Sequence, residues 1–174
     1  MSLCLVANWK LNGSREFNLQ WTLDFLRNFN GNNFSSLGIA PASLYIDHLK
    51  AALADHEIKI GSQNIALEET GACTGEISAS MIKDLGCEFS IVGHSERRML
   101  FHETNQMIGQ KLIQANNNSV IPILCIGESA EENKSNSTYN VLEQQIIEAL
   151  EDVNKLNSLI IAYEPIWAIG SGKT

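Results

Sequence analysis

Six short apolar runs, separated by longer stretches of helical period, constrain this chain more than any other feature of its sequence. The runs cover residues 3–7, 37–40, 58–61, 89–92, 120–125 and 159–162. Each is nearly continuous in aliphatic or aromatic side chains, the composition of a strand buried on both faces. Helices are expected between them, near residues 16–27, 43–54, 78–85, 106–115 and 138–156. In the last of these Val141, Leu142, Ile146, Ile147, Leu150 and Val153 recur at helical spacing and form one apolar stripe. Strands alternating with helices imply a parallel sheet joined by right-handed crossovers. The Asn-rich stretches at 28–33 and 116–118, and the polar stretch at 133–137, read as connectors within one domain.

Two α/β architectures fit that order. An open doubly wound sheet usually carries a GxGxxG-like turn after its first strand, and this chain has none. A (β/α) barrel instead gathers its chemistry at the C-terminal ends of several strands. Here the first run leads into Asn8 and Lys10, the third into Gln63 and Asn64, and the fourth into His94, Ser95 and Glu96. The fifth leads into Glu128 and the sixth into Glu164. One polar strand end is ordinary loop composition, whereas five that converge describe a site. The expected fold is therefore a (β/α)8 barrel, with about six of its eight βα units in the 174 residues. A closed barrel of this kind runs to about 250 residues. The expectation follows that the single barrel domain of residues 1–174 is truncated within the loop after its sixth strand.

The candidate residues select a reaction class. Glu164 is a carboxylate base, His94 an imidazole able to polarise a carbonyl, and Lys10 a cation beside them. Such a set, without a nucleophile, suits proton abstraction next to a carbonyl and an enediolate intermediate. Gly93-His94-Ser95 is not a nucleophile elbow. The ending Gly172-Lys173-Thr174 resembles the close of a phosphate-binding loop, but Trp167 stands where that pattern requires glycine. The four cysteines have neither paired nor CxxC spacing, so neither a zinc site nor a redox motif is expected, and no cofactor or metal is implied. A formal charge of −8 speaks against nucleic acid or an anionic membrane as partner. Apolar residues at 44% and charged residues at 18% suit a globular chain, and no run approaches the length of a membrane span. The N-terminus has no signal-peptide pattern, so a cytoplasmic enzyme with reduced thiols is expected.

The segments ANWKLNG, TGEIS, IVGHSERR, IGQK, CIGE and AYEPIWAIGSGKT, in that order from residue 7 to residue 174, resemble the triosephosphate isomerase family. The resemblance implies cofactor-independent interconversion of dihydroxyacetone phosphate and glyceraldehyde 3-phosphate. It implies Glu164 as the base between C1 and C2 and His94 as a neutral electrophile at the start of a helix, with Ser95 following it. Lys10 would face substrate phosphate and oxyanion with Asn8 alongside, and Glu96 would pair near that lysine. Cys125 would pack beside the base. Residues 165–174 resemble the family's lid, with the Gly170 amide reaching the phosphate. The segment GACTGEIS resembles the loop that inserts into a second subunit of a homodimer, bringing Thr74 to the partner while Arg97 and Glu103 brace the interface. Cys73, His102 and Asn105 depart from the commoner aromatic, glycine and aspartate of the family. Two alternatives belong to other classes: a phosphosugar lyase using Lys10 as a Schiff-base amine, and an inactive barrel fragment that keeps the interface loop.

Overall fold

A computed structural model describes residues 4–29 and 35–169. The strands are β1 (Cys4–Asn8), β2 (Ser36–Ala40), β3 (Ile58–Ser62), β4 (Phe89–Val92), β5 (Ile121–Ile126) and β6 (Ile160–Tyr163). They form one parallel sheet in the order β1-β2-β3-β4-β5-β6, each strand beside its neighbour in sequence. That order is the one a barrel requires and a doubly wound sheet does not. All six lie within a residue or two of the runs read from the sequence.

The helices begin where the sequence supplies caps. Ser14 caps α1 (Arg15–Asn28) by accepting from the Phe17 amide, Ser78 caps α3 (Ala79–Asp84), and Thr104 caps α5 (Asn105–Asn117). A serine or threonine at this position satisfies one of the unpaired amides of the first turn and contributes about 1 kcal/mol. Between them lie α2 (Ile46–Ala52) and α4 (Ser95–Leu100). Then come α6 (Ala130–Lys134), opened by a reciprocal Ser129–Glu132 capping box, and α7 (Thr138–Leu150). The helix expected to continue to residue 156 stops at Leu150. Val153 and Leu156 still pack on the core, but from the irregular segment after the helix, so the apolar period outlasts the helix that began it. The helices α4 and α6, of six and five residues, are too short to show a period.

Strand pleat sends alternate residues to opposite faces. Val92 on β4 and Leu124 and Ile126 on β5 face the helices and join Ile39, Ile60, Ile108 and Leu112 in the larger core. Phe89 and Ile91, with Ile123 and Cys125, face the concave side and pack with Ala40. The curl of the sheet is visible in what surrounds Phe89. A Cβ at Gly61 would fall 2.5 Å from the Phe89 ring, and one at Gly38 2.9 Å from it, so two strands lack side chains where that ring fills the interior. Residues of β1 and of β6 line, together with Gly38 and Phe89, one void of about 40 Å3. On the outer strands Leu5 and Val6 of β1 and Ile160, Ile161 and Tyr163 of β6 are exposed. No helix among the described residues is long and apolar enough to cross a membrane.

Candidate active site

The C-terminal ends of β1, β4, β5 and β6 meet on one rim. Lys10 lies two residues beyond β1 with φ +52, a left-handed conformation that a side chain resists. Three hydrogen bonds hold it there. The Lys10 amide donates to Asn8 Oδ1 at 2.9 Å, and the Lys10 carbonyl accepts from Gln63 Nε2 at 2.9 Å. The second proton of that Gln63 amide goes to the Ala40 carbonyl, also at 2.9 Å. The Lys10 ammonium pairs with Glu96 Oε1 at 2.8 Å.

His94 is buried and caps α4, its Nδ1 accepting the Glu96 amide at 3.2 Å. A ring nitrogen that accepts holds no proton, so the ring proton sits on Nε2. That Nε2 faces Glu164 Oε1 at 3.2 Å, and the other carboxylate oxygen accepts from the Ser95 amide at 3.3 Å. Ser95 thus acts on Glu164 through its backbone, while its buried hydroxyl makes no hydrogen bond with protein. Asn8, Lys10, His94 and Glu96 line one cavity of about 440 Å3.

Cys125 is buried beside Glu164. Burial pushes its thiol far above the ordinary value, and the charge and hydrogen bond of Glu164 push it the same way, so it stays a neutral donor. Glu164 is also located by backbone packing. A Cβ at Gly127 would lie 1.8 Å from the Glu164 carbonyl oxygen, so the chain carrying Glu164 runs over a position only glycine can occupy. Gln145 on α7 fixes that glycine with a paired contact, its Oε1 accepting the Gly127 amide and its Nε2 donating to the Gly127 carbonyl, both at 2.9 Å.

Glu128 anchors the root of the following loop. Its side chain is fully buried and accepts from Trp167 Nε1 at 2.8 Å, the Tyr163 hydroxyl at 3.0 Å and Asn133 Nδ2 at 3.0 Å. Burial alone would raise this carboxyl. The hydrogen bonds from Trp167, its own backbone, Tyr163 and Asn133 outweigh that effect and hold it below the usual glutamate value.

The structure therefore brings Asn8, Lys10, His94, Ser95, Glu96, Cys125 and Glu164 together, while Gly170 lies outside the described residues. Thr74 sits away from them in an exposed stretch, residues 70–76, of which Gly75 and Glu76 line the cavity. Glu103 is buried inside the protomer, where its Oε1 accepts from Arg97 Nε at 2.5 Å and from Lys111 Nζ at 2.6 Å. Gln63, Gly127, Glu128 and Gln145 serve the site without having been assigned a role from sequence. For Gln63 and Glu128 the signal was their place at strand ends; for Gly127 and Gln145 there was none, because the need arises from chain segments distant in sequence. Among the described residues no group of three His, Cys, Asp or Glu side chains could hold a metal ion.

Comparison with known proteins identifies the family. The triosephosphate isomerase family profile matches residues 3–174. A triosephosphate isomerase of Nitrosococcus oceani is 42% identical over 172 residues, covering 98% of this chain and 69% of the relative. One of Histophilus somni is 40% identical over 172 residues, with 98% and 68% covered, and one of Baumannia cicadellinicola 41% over 174 residues, also with 98% and 68% covered. The matched range spans all six strands, and the chain belongs to the triosephosphate isomerase family.

Proposed function

We propose that Glu164 is the base and His94 the electrophile of the triose-phosphate isomerisation that the family carries. The supporting observation is the 3.2 Å approach of a carboxylate to the Nε2 of a histidine whose Nδ1 already accepts a backbone amide. Glu164 takes a proton from the carbon beside the substrate carbonyl and returns it to the neighbouring carbon. His94, with its proton on Nε2, donates to the oxygen on which charge develops. Before substrate arrives the carboxylate is held by the Ser95 amide and the His94 ring, so catalysis requires it to exchange these partners for the substrate carbon. Lys10 supplies the positive charge for phosphate and oxyanion in a chain that is acidic overall, and Asn8 and Glu96 fix its position. Gly170 would contribute its amide to the phosphate when the lid closes, excluding water from the enediolate. No cofactor takes part in this reading.

The lyase alternative needs Lys10 as a free amine, and its ammonium is ion-paired with Glu96 at 2.8 Å. The cytoplasm suits the triose phosphates on which such an enzyme acts. A homodimer is the proposed assembly. Leu11 at 98%, Leu44 at 88%, Leu100 at 70% and Phe101 at 60% exposure lie around the cavity or next to its lining, beside the exposed loop of Thr74. Arg97, oriented by Glu103 from below and stacked over Phe101, faces the same side.

Glu164→Gln tests the assignment of the base. Turnover should fall by about 10²- to 10⁴-fold, the usual worth of a general base, while calorimetry still detects binding of a phosphate-bearing inhibitor. Turnover equal to that of the parent would refute the assignment.

A further inference from the structure

Arg98 is a charged side chain that the proposed chemistry does not use, and its position between two strand ends is unusual. It lies on α4 one turn after His94, and its guanidinium points back toward the sheet. Nε donates to the Gly93 carbonyl at 2.8 Å and Nη2 to the Cys125 carbonyl at 3.0 Å. The register of β4 on β5 pairs Val92 with Leu124, so Gly93 and Cys125 form the next rung. The planar fork of Arg98 bridges that rung, just past the end of β4 and one residue before the end of β5.

Both ends of the bridge lead directly to the reacting groups. The residue after Gly93 is His94, and the side chain of Cys125 lies close enough to the Glu164 carboxylate for the two to interact. Gly93 itself has φ +71, and a Cβ there would come within 2.8 Å of Ile108 and 3.3 Å of Arg98 Nη2, so the fork lies flat against the turn that launches His94. The third point of attachment is Nη1, which donates to Asn105 Oδ1 at 2.6 Å, and the Asn105 amide in turn donates to Glu148 on α7 at 2.8 Å. Asn105 is one of the departures from the family pattern noted in the sequence. It makes the brace on Arg98 a neutral amide, with the carboxylate one step removed. No carboxylate among the described residues hydrogen-bonds the guanidinium. Burial lowers Arg98 from the ordinary arginine value, opposed by Cys125, Glu103 and Glu164, yet an arginine keeps its charge throughout.

We propose that Arg98 is a positioning residue that sets the separation of the β4 and β5 ends, and through them the contact between His94 and Glu164. It rests on the reading of Glu164 and His94 as the reacting pair. Its consequence is that replacing the fork loosens that contact even where the fold survives and no substrate group has been touched.

Arg98→Lys keeps the charge and replaces the fork with one ammonium on a flexible stem. Nitrogen NMR of the labelled His94 ring, recorded without substrate, reads the contact directly, with Glu164→Gln as the reference for its loss. In folded Arg98→Lys the Nε2 signal should move toward that reference. Turnover should fall ~10- to 100-fold with KM changed less than ~3-fold, since misplacing a reacting group by about 1 Å can cost ~10². A folded Arg98→Lys protein with the parent's ring signal and kcat would overturn the proposal, because a merely structural arginine lowers thermal stability without moving either. If Arg98→Lys does not fold, Asn105→Ala decides. It leaves both carbonyl bonds but frees Nη1, and the ring signal should shift in the same direction by a smaller amount. An unmoved signal there also overturns the proposal. Failure of the base assignment is separately visible, since it appears as retained turnover in Glu164→Gln whatever the ring signal reports about Arg98.

Discussion

Lys10 sets a proposed role in binding against a conformational cost. Its φ of +52 places a non-glycine residue in a region that costs on the order of 1–3 kcal/mol, held by bonds from Asn8 and Gln63. Glycine adopts that conformation freely, and the ion pair with Glu96 is half-exposed and so contributes about 0–1 kcal/mol. Lys10→Gly should therefore melt no lower than the parent by calorimetry while losing most of its turnover. Lys10→Ala, which keeps the strain and loses the charge, should be both less active and no more stable. A Lys10→Gly protein that melts well below the parent would show that the backbone here is not under strain.

At the scale of elements, the loops after β5 and β6 act as a pair. Gly127 makes room for the Glu164 carbonyl, and backbone cannot yield as a flexible side chain can. Gly127→Ala should cost about 1–3 kcal/mol through overpacking, and it should depress kcat as well, because the displaced segment carries Glu164, the proposed base. Urea denaturation and a coupled assay measure the two effects. Glu128 ties the same two loops through Trp167 and Tyr163. Its carboxyl is held below the ordinary value near 4.5, so the folded state favours the ionised form. That preference stabilises the protein fully above the ordinary value and is lost as pH falls through the depressed one. Melting temperature should therefore drop between pH 5 and lower pH more steeply in the parent than in Glu128→Gln, which lacks this titration. Equal slopes would remove Glu128 from the acid transition.

For the whole molecule, burial sorts the four thiols. Burial pushes Cys87 up to about 11 and Cys125 higher still, whereas Cys4 and Cys73 are exposed in the protomer. A thiol-specific reagent should modify Cys4 and Cys73 in the native protein and reach the other two only on unfolding. Cys73 lies beside Thr74, so dimerisation through that loop should slow its modification, and dilution to the protomer should restore it. Sedimentation over the same concentrations links the rate to the assembly. A Cys73 rate independent of concentration, with an active monomer at micromolar protein, would count against the homodimer.

How much of this was legible beforehand follows from the range of the forces concerned. Strand positions could be read because a strand buried on both faces must be apolar along its length, a property of four to six consecutive residues. Asn8, Lys10, His94 and Glu164 could be read because a parallel barrel brings the residues after its strands to one rim. The helix after residue 138 was read too long, because Val153 and Leu156 serve the core from the irregular segment after it and apolar period does not reveal hydrogen bonding. The contacts that hold the reacting groups in place were not legible. The bridge from Arg98 to Cys125 spans 27 residues and the bond from Trp167 to Glu128 spans 39. Sequence by itself determined the order of elements and the chemical groups available, since both depend on neighbouring residues and on chain order. Tertiary structure alone decided that Gly127 must lack a side chain, that Gln63 holds Lys10 in its strained conformation and that Arg98 joins β4 to β5, because each depends on distances between segments that only the packing of the curled sheet sets.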